Sequence, residues 1–271
     1  MRKTTTPQQP IGIFDSGIGG LTVAQAVAQR LPNERLIYFG DTAHLPYGDK
    51  SADAIRYYCL GIGKFLLDQG CKMIVVACNS AATAGYRTLI DFFRGQALFV
   101  NVVDPLVETV AARNFKKVGV IATKATIRSG VYERMLHERN PNMEVVSLAT
   151  PLLAPMIEEG YIRNGISEPI IRHYLSYEQF EGIEAILLAC THYPLIRSNI
   201  ENFFEGKVEV FDSTHVVAVE VEEQLTYHHL LSDQRRQTNS FFVSDHTPSF
   251  ESTTKLFYGE EVHLEQSGIW G

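Results

Sequence analysis

Short runs of apolar residues alternate along the chain with longer segments that mix apolar and polar residues. The apolar runs are rich in Val, Ile and Leu without strict alternation, which is typical of strands covered by helices on both faces. They predict strands at 12–15, 35–40, 73–77, 97–103, 117–122, 144–148, 185–189, 208–211 and 240–244. The segments between them predict helices that include 21–30, 52–69, 106–114, 130–138, 194–203 and 214–229. This order predicts an α/β fold with central, mainly parallel sheets.

Two similar stretches occupy corresponding places in the two halves of the chain. The first half has Gly12-Ile-Phe-Asp15 and later Ile74-Val-Val-Ala-Cys78-Asn-Ser80, and the second has Gly119-Val-Ile-Ala122 and later Ile186-Leu-Leu-Ala-Cys190-Thr-His192. Strand ends of α/β proteins resemble one another, so chance similarity is the alternative. We interpret the pair as two related α/β halves, which form two pseudo-symmetric domains with a cleft between them.

The composition argues against nucleic-acid-binding, membrane and secreted proteins. The 271 residues suffice for two ordinary domains, and 45% of them are apolar. The net charge of −7 argues against nucleic acid or an anionic membrane as the main partner. No run approaches the roughly 20 apolar residues of a membrane span, and the polar start of the chain lacks a signal-peptide core. A cytoplasmic location is expected.

The four cysteines form no CxxC pair and no spacing typical of metal ligands. Free thiols, no disulfides and no metal site are therefore expected. Cys59 and Cys71 lie within predicted helical or loop sequence and are interpreted as packing residues. Cys78 and Cys190 instead follow buried strands, at the edge of the sheet where α/β proteins bind ligands.

The loop after the first strand contains Gly17, Gly19 and Gly20. Glycines between a strand and a helix let backbone N–H groups approach an anion. The loop lacks the G-x-G-x-x-G pattern of dinucleotide sites and the lysine of a P-loop. It therefore favours a carboxylate ligand, with a tight turn that binds nothing as the alternative.

A cysteine at the end of a buried strand is commonly a packing residue. Cys78 and Cys190, however, occupy matching positions, and each precedes hydrogen-bonding residues and a predicted helix start that favours a thiolate. Docking the two halves face to face would place the thiols on opposite sides of one cleft. Such a pair suits inversion of a carbon acid, because one sulfur removes a proton while the other delivers one to the opposite face.

Nearby polar residues complete this hypothesis. Asp15 could orient or deprotonate Cys78, and His192 lies two residues beyond Cys190. Uncharged donors able to hold an α-carboxylate and a distal carboxylate are Ser16, Asn79, Ser80, Thr123 and Thr191, and Tyr47 and Gly48 offer backbone N–H groups. His44 and Lys124 could add positive charge or belong to solvated loops.

Four segments together resemble the glutamate racemases of bacterial cell-wall synthesis, which belong to the cofactor-independent aspartate/glutamate racemase superfamily. They are FDSGIGGLTV from Phe14, GDTAHLPYG from Gly40, VACNSAAT from Val76 and LACTHYPL from Leu188. The match runs in order over most of the chain. It implies interconversion of L- and D-glutamate for peptidoglycan synthesis, without a cofactor, in an enzyme that is commonly a homodimer.

The resemblance also implies roles for single residues. Cys78 and Cys190 would be the catalytic thiols, assisted by Asp15 and His192. The substrate would be surrounded by Asp15, Ser16, Tyr47, Gly48, Asn79, Ser80, Thr191 and His192, with Glu158 as a further lining residue. The family's domain arrangement implies a first domain of residues 1–99 plus 212–271 and a second of residues 100–211.

Two positions depart from the family pattern: His44, where arginine is more common, and Ala82, where a hydroxyl residue is more common. Three alternatives stay open. The first is a racemase for aspartate or another amino acid, and the second is an acyl-transfer enzyme that uses Cys190 and His192. The third is a catalytically silent binding protein, although the sequence has no basic patch or extra domain that favours this.

Overall fold

The computed structural model describes residues 5–162, 165–234 and 238–270, and two parallel sheets organise them. The first sheet contains β1 (Ile11–Asp15), β2 (Leu36–Gly40), β3 (Met73–Val76), β4 (Leu98–Asn101), and, from the far end of the chain, β9 (Ser240–Val243) and β10 (Glu265–Gln266). The second contains β5 (Lys117–Ala122), β6 (Glu144–Ala149), β7 (Ala185–Ala189) and β8 (Glu209–Asp212). Every strand pair described is parallel.

Helices connect these strands and cover both sheets. Those before β6 are α1 (Leu21–Arg30), α2 (Ala52–Asp68), α3 (Asn79–Phe92), α4 (Asp104–Ala111), α5 (Lys124–Arg128) and α6 (Val131–Arg139). Those after it are α7 (Leu153–Glu158), α8 (Ser167–Leu175), α9 (Arg197–Phe203), α10 (Ser213–Tyr227) and α11 (Pro248–Tyr258). Because helices lie on both faces, β1, β2, β3, β5 and β7 bury nearly all their residues, as their apolar sequences predict.

The two sheets repeat one topology. The order β2-β1-β3-β4 in the first sheet corresponds to β6-β5-β7-β8 in the second. In each half the central strand pairs with the strand that precedes a cysteine: β1 with β3 and β5 with β7. The predicted α/β fold with two related halves is therefore confirmed, and Cys78 and Cys190 follow equivalent strands.

Two details differ from the sequence prediction. The two-residue strand β10 was not predicted, because so short a segment has no detectable apolar pattern. The predicted helix 194–203 begins as a 3₁₀ helix, Tyr193–Ile196, and becomes α-helical only at Arg197. Helices often begin with a 3₁₀ turn, so the prediction of an α-helix from residue 194 was wrong only in its first turn.

The domain boundaries stay a prediction. Near them, β4 extends to Asn101 within the first sheet and β8 extends to Asp212 within the second. In the part of the chain that the structure describes, no helix is both long enough and apolar enough to span a membrane.

Candidate active site

A cavity of about 240 Å³ lies between the carboxyl ends of the two sheets. Its walls come from both halves of the chain. They comprise Ser16, Gly17, Leu45, Pro46, Tyr47, Gly48, Cys78, Asn79, Ser80, Thr123, Ala154, Pro155, Glu158, Cys190, Thr191 and His192. Every site residue predicted from the sequence is among them except Asp15, which lies fully buried behind the wall.

Cys78 reaches the cavity from the end of β3 and caps the N-terminus of α3. Its Sγ accepts a hydrogen bond from the Ala81 N–H at 3.4 Å and donates one to Ser16 Oγ at 3.6 Å. Burial, together with the charge of Asp15, raises the pKa of the Cys78 thiol to about 12, although both hydrogen bonds oppose the shift. The helix terminus therefore does not outweigh burial, and Cys78 is a protonated thiol at neutral pH.

Cys190 reaches the same cavity from β7 and contacts a histidine. Its Sγ lies 3.6 Å from Nδ1 of His192, whose Nε2 lies 2.8 Å from Oε1 of Glu158. Burial alone would lower the pKa of His192, but hydrogen bonds and negative charge from Cys190 and Glu158 raise it well above its ordinary value. The arrangement therefore favours the imidazolium form of His192, which contacts both Cys190 and Glu158.

Asp15 supports the cavity from behind. One carboxylate oxygen accepts a hydrogen bond from the Gly17 N–H at 2.9 Å, and the other accepts one from the Thr191 hydroxyl at 3.4 Å. Burial raises the pKa of Asp15, while the charge of His192 opposes the shift. Asp15 thus links the loop after β1 to the loop after β7, and no direct hydrogen bond to Cys78 is found within the described residues.

Asn79 presents an unused donor. Its Oδ1 accepts a hydrogen bond from the Tyr132 hydroxyl at 2.6 Å, which fixes the orientation of the amide. Its Nδ2 is buried and has no hydrogen-bond partner among the described residues. A buried orphan donor in a cavity wall is costly unless a ligand accepts from it.

Facing hydroxyls and a close backbone contact join the two halves on another wall. Ser80 Oγ lies 2.9 Å from Thr123 Oγ1. A methyl group on Gly48 would lie 3.0 Å from Cβ of Thr123, so the turn at Tyr47 and Gly48 packs tightly on the second half. This wall therefore combines polar groups from both sheets.

Several features were not predicted from the sequence. Tyr132 orients Asn79 from α6, and the apolar wall of Leu45, Pro46, Ala154 and Pro155 shapes the cavity. Gly19 packs against His192, because a methyl group there would lie 2.3 Å from the imidazole Cε1. His44 and Lys124 do not line the cavity. His44 pairs with Asp41, and Lys124 pairs with Asp49.

The sequence pattern of the Asp/Glu/hydantoin racemase family matches residues 21–221 of the chain. The chain belongs to this family. The glutamate racemase of Chlorobaculum parvum is 39% identical over 255 residues, which cover 93% of each protein.

Solved structures of racemases have the same fold. The glutamate racemase of Francisella tularensis, solved with D-glutamate, superposes with a TM-score of 0.92 at 36% identity and covers 97% of this chain and 99% of its own. The aspartate racemase of Picrophilus torridus has a TM-score of 0.58 at 20% identity, covers 82% of this chain and 99% of its own, and shares the fold alone. By its family this chain is an amino-acid racemase, which confirms the resemblance read from its four motifs.

Proposed function

We propose that the chain is a glutamate racemase that interconverts L- and D-glutamate by proton transfer between Cys78 and Cys190, without a cofactor. The observation that carries the proposal is the placement of both thiols in the walls of one cavity. They follow topologically equivalent strands of different sheets, so they approach the cavity from different halves of the chain.

The reaction needs one base and one acid on opposite faces of Cα. The Cys190 thiolate takes the Cα proton, and the electron pair of the broken C–H bond remains on the substrate as an enolate-like carbanion. The Cys78 thiol then delivers its proton to the other face, which leaves Cys190 protonated and Cys78 as a thiolate. The reverse reaction exchanges these roles, so the two enantiomers are handled by one site.

The two thiols have different partners. The raised pKa of Cys78 keeps its proton available, and His192, which lies 3.6 Å from the Cys190 sulfur, is the group that assists proton removal by Cys190. Glu158 holds the imidazole from its other nitrogen. His192 and Glu158 thus assist Cys190. On the other side, Ser16 accepts a hydrogen bond from Cys78, and Asp15 places negative charge near it.

The polar walls suit an amino acid with two carboxylates. The free Nδ2 of Asn79, the hydroxyls of Ser80, Thr123 and Thr191, and the backbone at Tyr47 and Gly48 are the proposed contacts. A preference for glutamate over aspartate rests on relatives named glutamate racemases, two of which are 39% identical to this chain.

The remaining parts of the proposal rest on the resemblance of the four motifs to glutamate racemases. We assign the enzyme to D-glutamate supply for peptidoglycan, in the cytoplasm, as a homodimer. Domain boundaries at residues 1–99 plus 212–271 and 100–211 belong to this proposal.

Incubation of each glutamate enantiomer in D2O without pyridoxal phosphate tests the function. We expect inversion with one solvent deuterium at Cα, and a much slower reaction with aspartate. Cys78→Ser and Cys190→Ser should each lower kcat by roughly 10²- to 10⁴-fold, since each removes a general acid or base. Circular dichroism of both variants should match that of the unaltered protein.

Faster turnover of aspartate would contradict the substrate assignment and leave the thiol mechanism standing. Retained racemisation in either serine variant would contradict the mechanism. The 3.6 Å contact of Cys190 with His192 also favours a nucleophilic cysteine as a second candidate. A covalent adduct between Cys190 and substrate, detected by mass spectrometry, would distinguish it from the racemase.

A further inference from the structure

The end of the chain contacts the back of one wall of the cavity. The Trp270 indole N–H donates a hydrogen bond to Asp41 Oδ1 at 2.8 Å. Asp41 is fully buried, and its other oxygen accepts a hydrogen bond from the Tyr47 hydroxyl at 2.6 Å. Tyr47 and Gly48 line the cavity, so one carboxylate separates Trp270 from the proposed substrate site.

Asp41 gathers donors from distant parts of the sequence. In addition to Trp270 and Tyr47, it pairs with the His44 ring at 3.0 Å and accepts a hydrogen bond from the Ser244 hydroxyl at 2.7 Å. Hydrogen bonds to a buried carboxylate are among the stronger ones in proteins. The turn at Tyr47 and Gly48 is thus held by the loop after β9 and by the C-terminal segment.

The fold reserves space for the indole. Gly61 lies in the middle of α2, where glycine is less favourable than alanine, and a methyl group there would lie 2.6 Å from the Trp270 ring. The ring also packs edge-on against His44 and Tyr58, at centroid distances of 5.0 and 5.6 Å. The absence of a side chain at Gly61 is therefore what leaves room for the indole.

We propose that Trp270 is a positioning residue of the racemase: through Asp41 it fixes the turn at Tyr47 and Gly48 that forms one wall of the substrate site. The inference rests on the proposed function, and it gives the C-terminal segment a role in substrate binding rather than in proton transfer. The indole touches neither proposed thiol, so its effect is on how tightly the substrate is held.

Three variants separate this role from general packing. Trp270→Phe keeps an aromatic ring and removes the N–H, and Ser244→Ala removes a second donor to the same oxygen of Asp41. Tyr57→Phe is the matched control, because Tyr57 packs on the Trp270 ring at 5.8 Å and is 65% exposed. Its hydroxyl makes no described contact with Asp41.

Trp270→Phe and Ser244→Ala should raise KM for glutamate several-fold, up to roughly tenfold, as for loss of a charged hydrogen bond, while kcat stays within about twofold. Tyr57→Phe should change neither constant. Equal constants for Trp270→Phe and Tyr57→Phe, or a fall in kcat with KM unchanged, would overturn the inference.

Hydrogen exchange provides a readout that needs no activity. The amides of His44, Asp49 and Lys50 are hydrogen-bonded within or beside the turn. They should exchange faster in Trp270→Phe and Ser244→Ala, with the core strands unchanged. Unchanged exchange in both variants sinks the inference whatever the substrate proves to be, whereas absent racemisation by the unaltered protein sinks only the proposed function.

Discussion

At the scale of single residues, two cysteines with nearly equal exposure have different surroundings. Cys78 is 5% exposed and Cys190 is 6% exposed. Cys78 has a hydroxyl and a backbone N–H as its partners, whereas Cys190 has a histidine. Because both side chains are almost equally buried, a difference in their reaction rates reflects a difference in thiol ionisation and not in reagent access.

Alkylation with iodoacetamide should distinguish the two thiols. At pH 8 we expect Cys190 to react first, because the His192 imidazole contacts its sulfur at 3.6 Å, and Cys78 to react slowly, because its pKa is about 12. The rate at Cys78 should rise roughly tenfold per pH unit below that pKa, in proportion to the thiolate fraction. Peptide mass spectrometry measures both rates in one sample.

Cys71 is the internal control for this experiment, because burial raises its pKa to about 12 as well and it lies away from the cavity. Replacing His192 by Asn should slow Cys190 and leave Cys71 unchanged. Faster alkylation of Cys78 than of Cys190 in the unaltered protein would contradict the assigned acid and base.

The sequence predicted most residues of the cavity wall because they follow strands in short polar motifs. Eleven of the twelve predicted site residues line the cavity, and Asp15 lies behind it. Tyr132 and Trp270 could not be predicted, since each reaches the site region from a helix or segment distant in sequence. Periodicity indicates which residues are buried but not which buried polar groups meet.

At the scale of elements, the glycine loop between β1 and α1 has a structural use that was not predicted. The Gly17 N–H donates to Asp15, and Gly19 lies against His192 of the other half. The glycines thus allow a close approach between loops of the two halves. Whether a carboxylate also binds there stays a prediction.

Gly19→Ala should abolish most of the activity, because its methyl group would overlap the His192 ring and displace the partner of Cys190. Gly17→Ala is the comparison within the same loop, since a methyl group there would meet its nearest atom at an ordinary 3.5 Å. We expect Gly17→Ala to have the same urea unfolding midpoint as the unaltered protein. A fully active Gly19→Ala would show that His192 can move without consequence.

At the scale of the whole molecule, a buried ion pair connects segments far apart in the chain. Lys72 Nζ lies 2.6 Å from Glu34 and donates to the carbonyl groups of Pro7 and Leu230. Glu34 also accepts a hydrogen bond from the Ser232 N–H. The pair therefore holds the start of the chain and the end of α10 against the first sheet.

Lys72→Met should lower the free energy of unfolding by about 3–5 kcal/mol, because it leaves Glu34 buried without its partner. Lys72→Met combined with Glu34→Gln should recover part of the loss. Lys64→Met, which removes an exposed pair with Asp68, should change little. Equal urea midpoints for Lys72→Met and Lys64→Met would contradict the importance of burial.

The repeated strand order was only partly visible in the sequence. Two Ala-Cys strand ends indicated related halves, but the pairing of β9 with β2 depends on contacts between residues about 200 positions apart, such as Gly40 with Val243. Such long-range pairing leaves no local pattern, so the sequence predicted strand existence better than sheet membership.

Trp270 is the single tryptophan of the chain. Excitation at the long-wavelength end of the protein's ultraviolet absorption therefore gives fluorescence from this residue, whose indole contacts Asp41 and His44. Carboxylate and imidazole groups alter indole emission, so its intensity and colour follow the geometry of that corner. The enzyme therefore carries an intrinsic fluorescent probe directly behind the cavity wall that we propose faces the substrate.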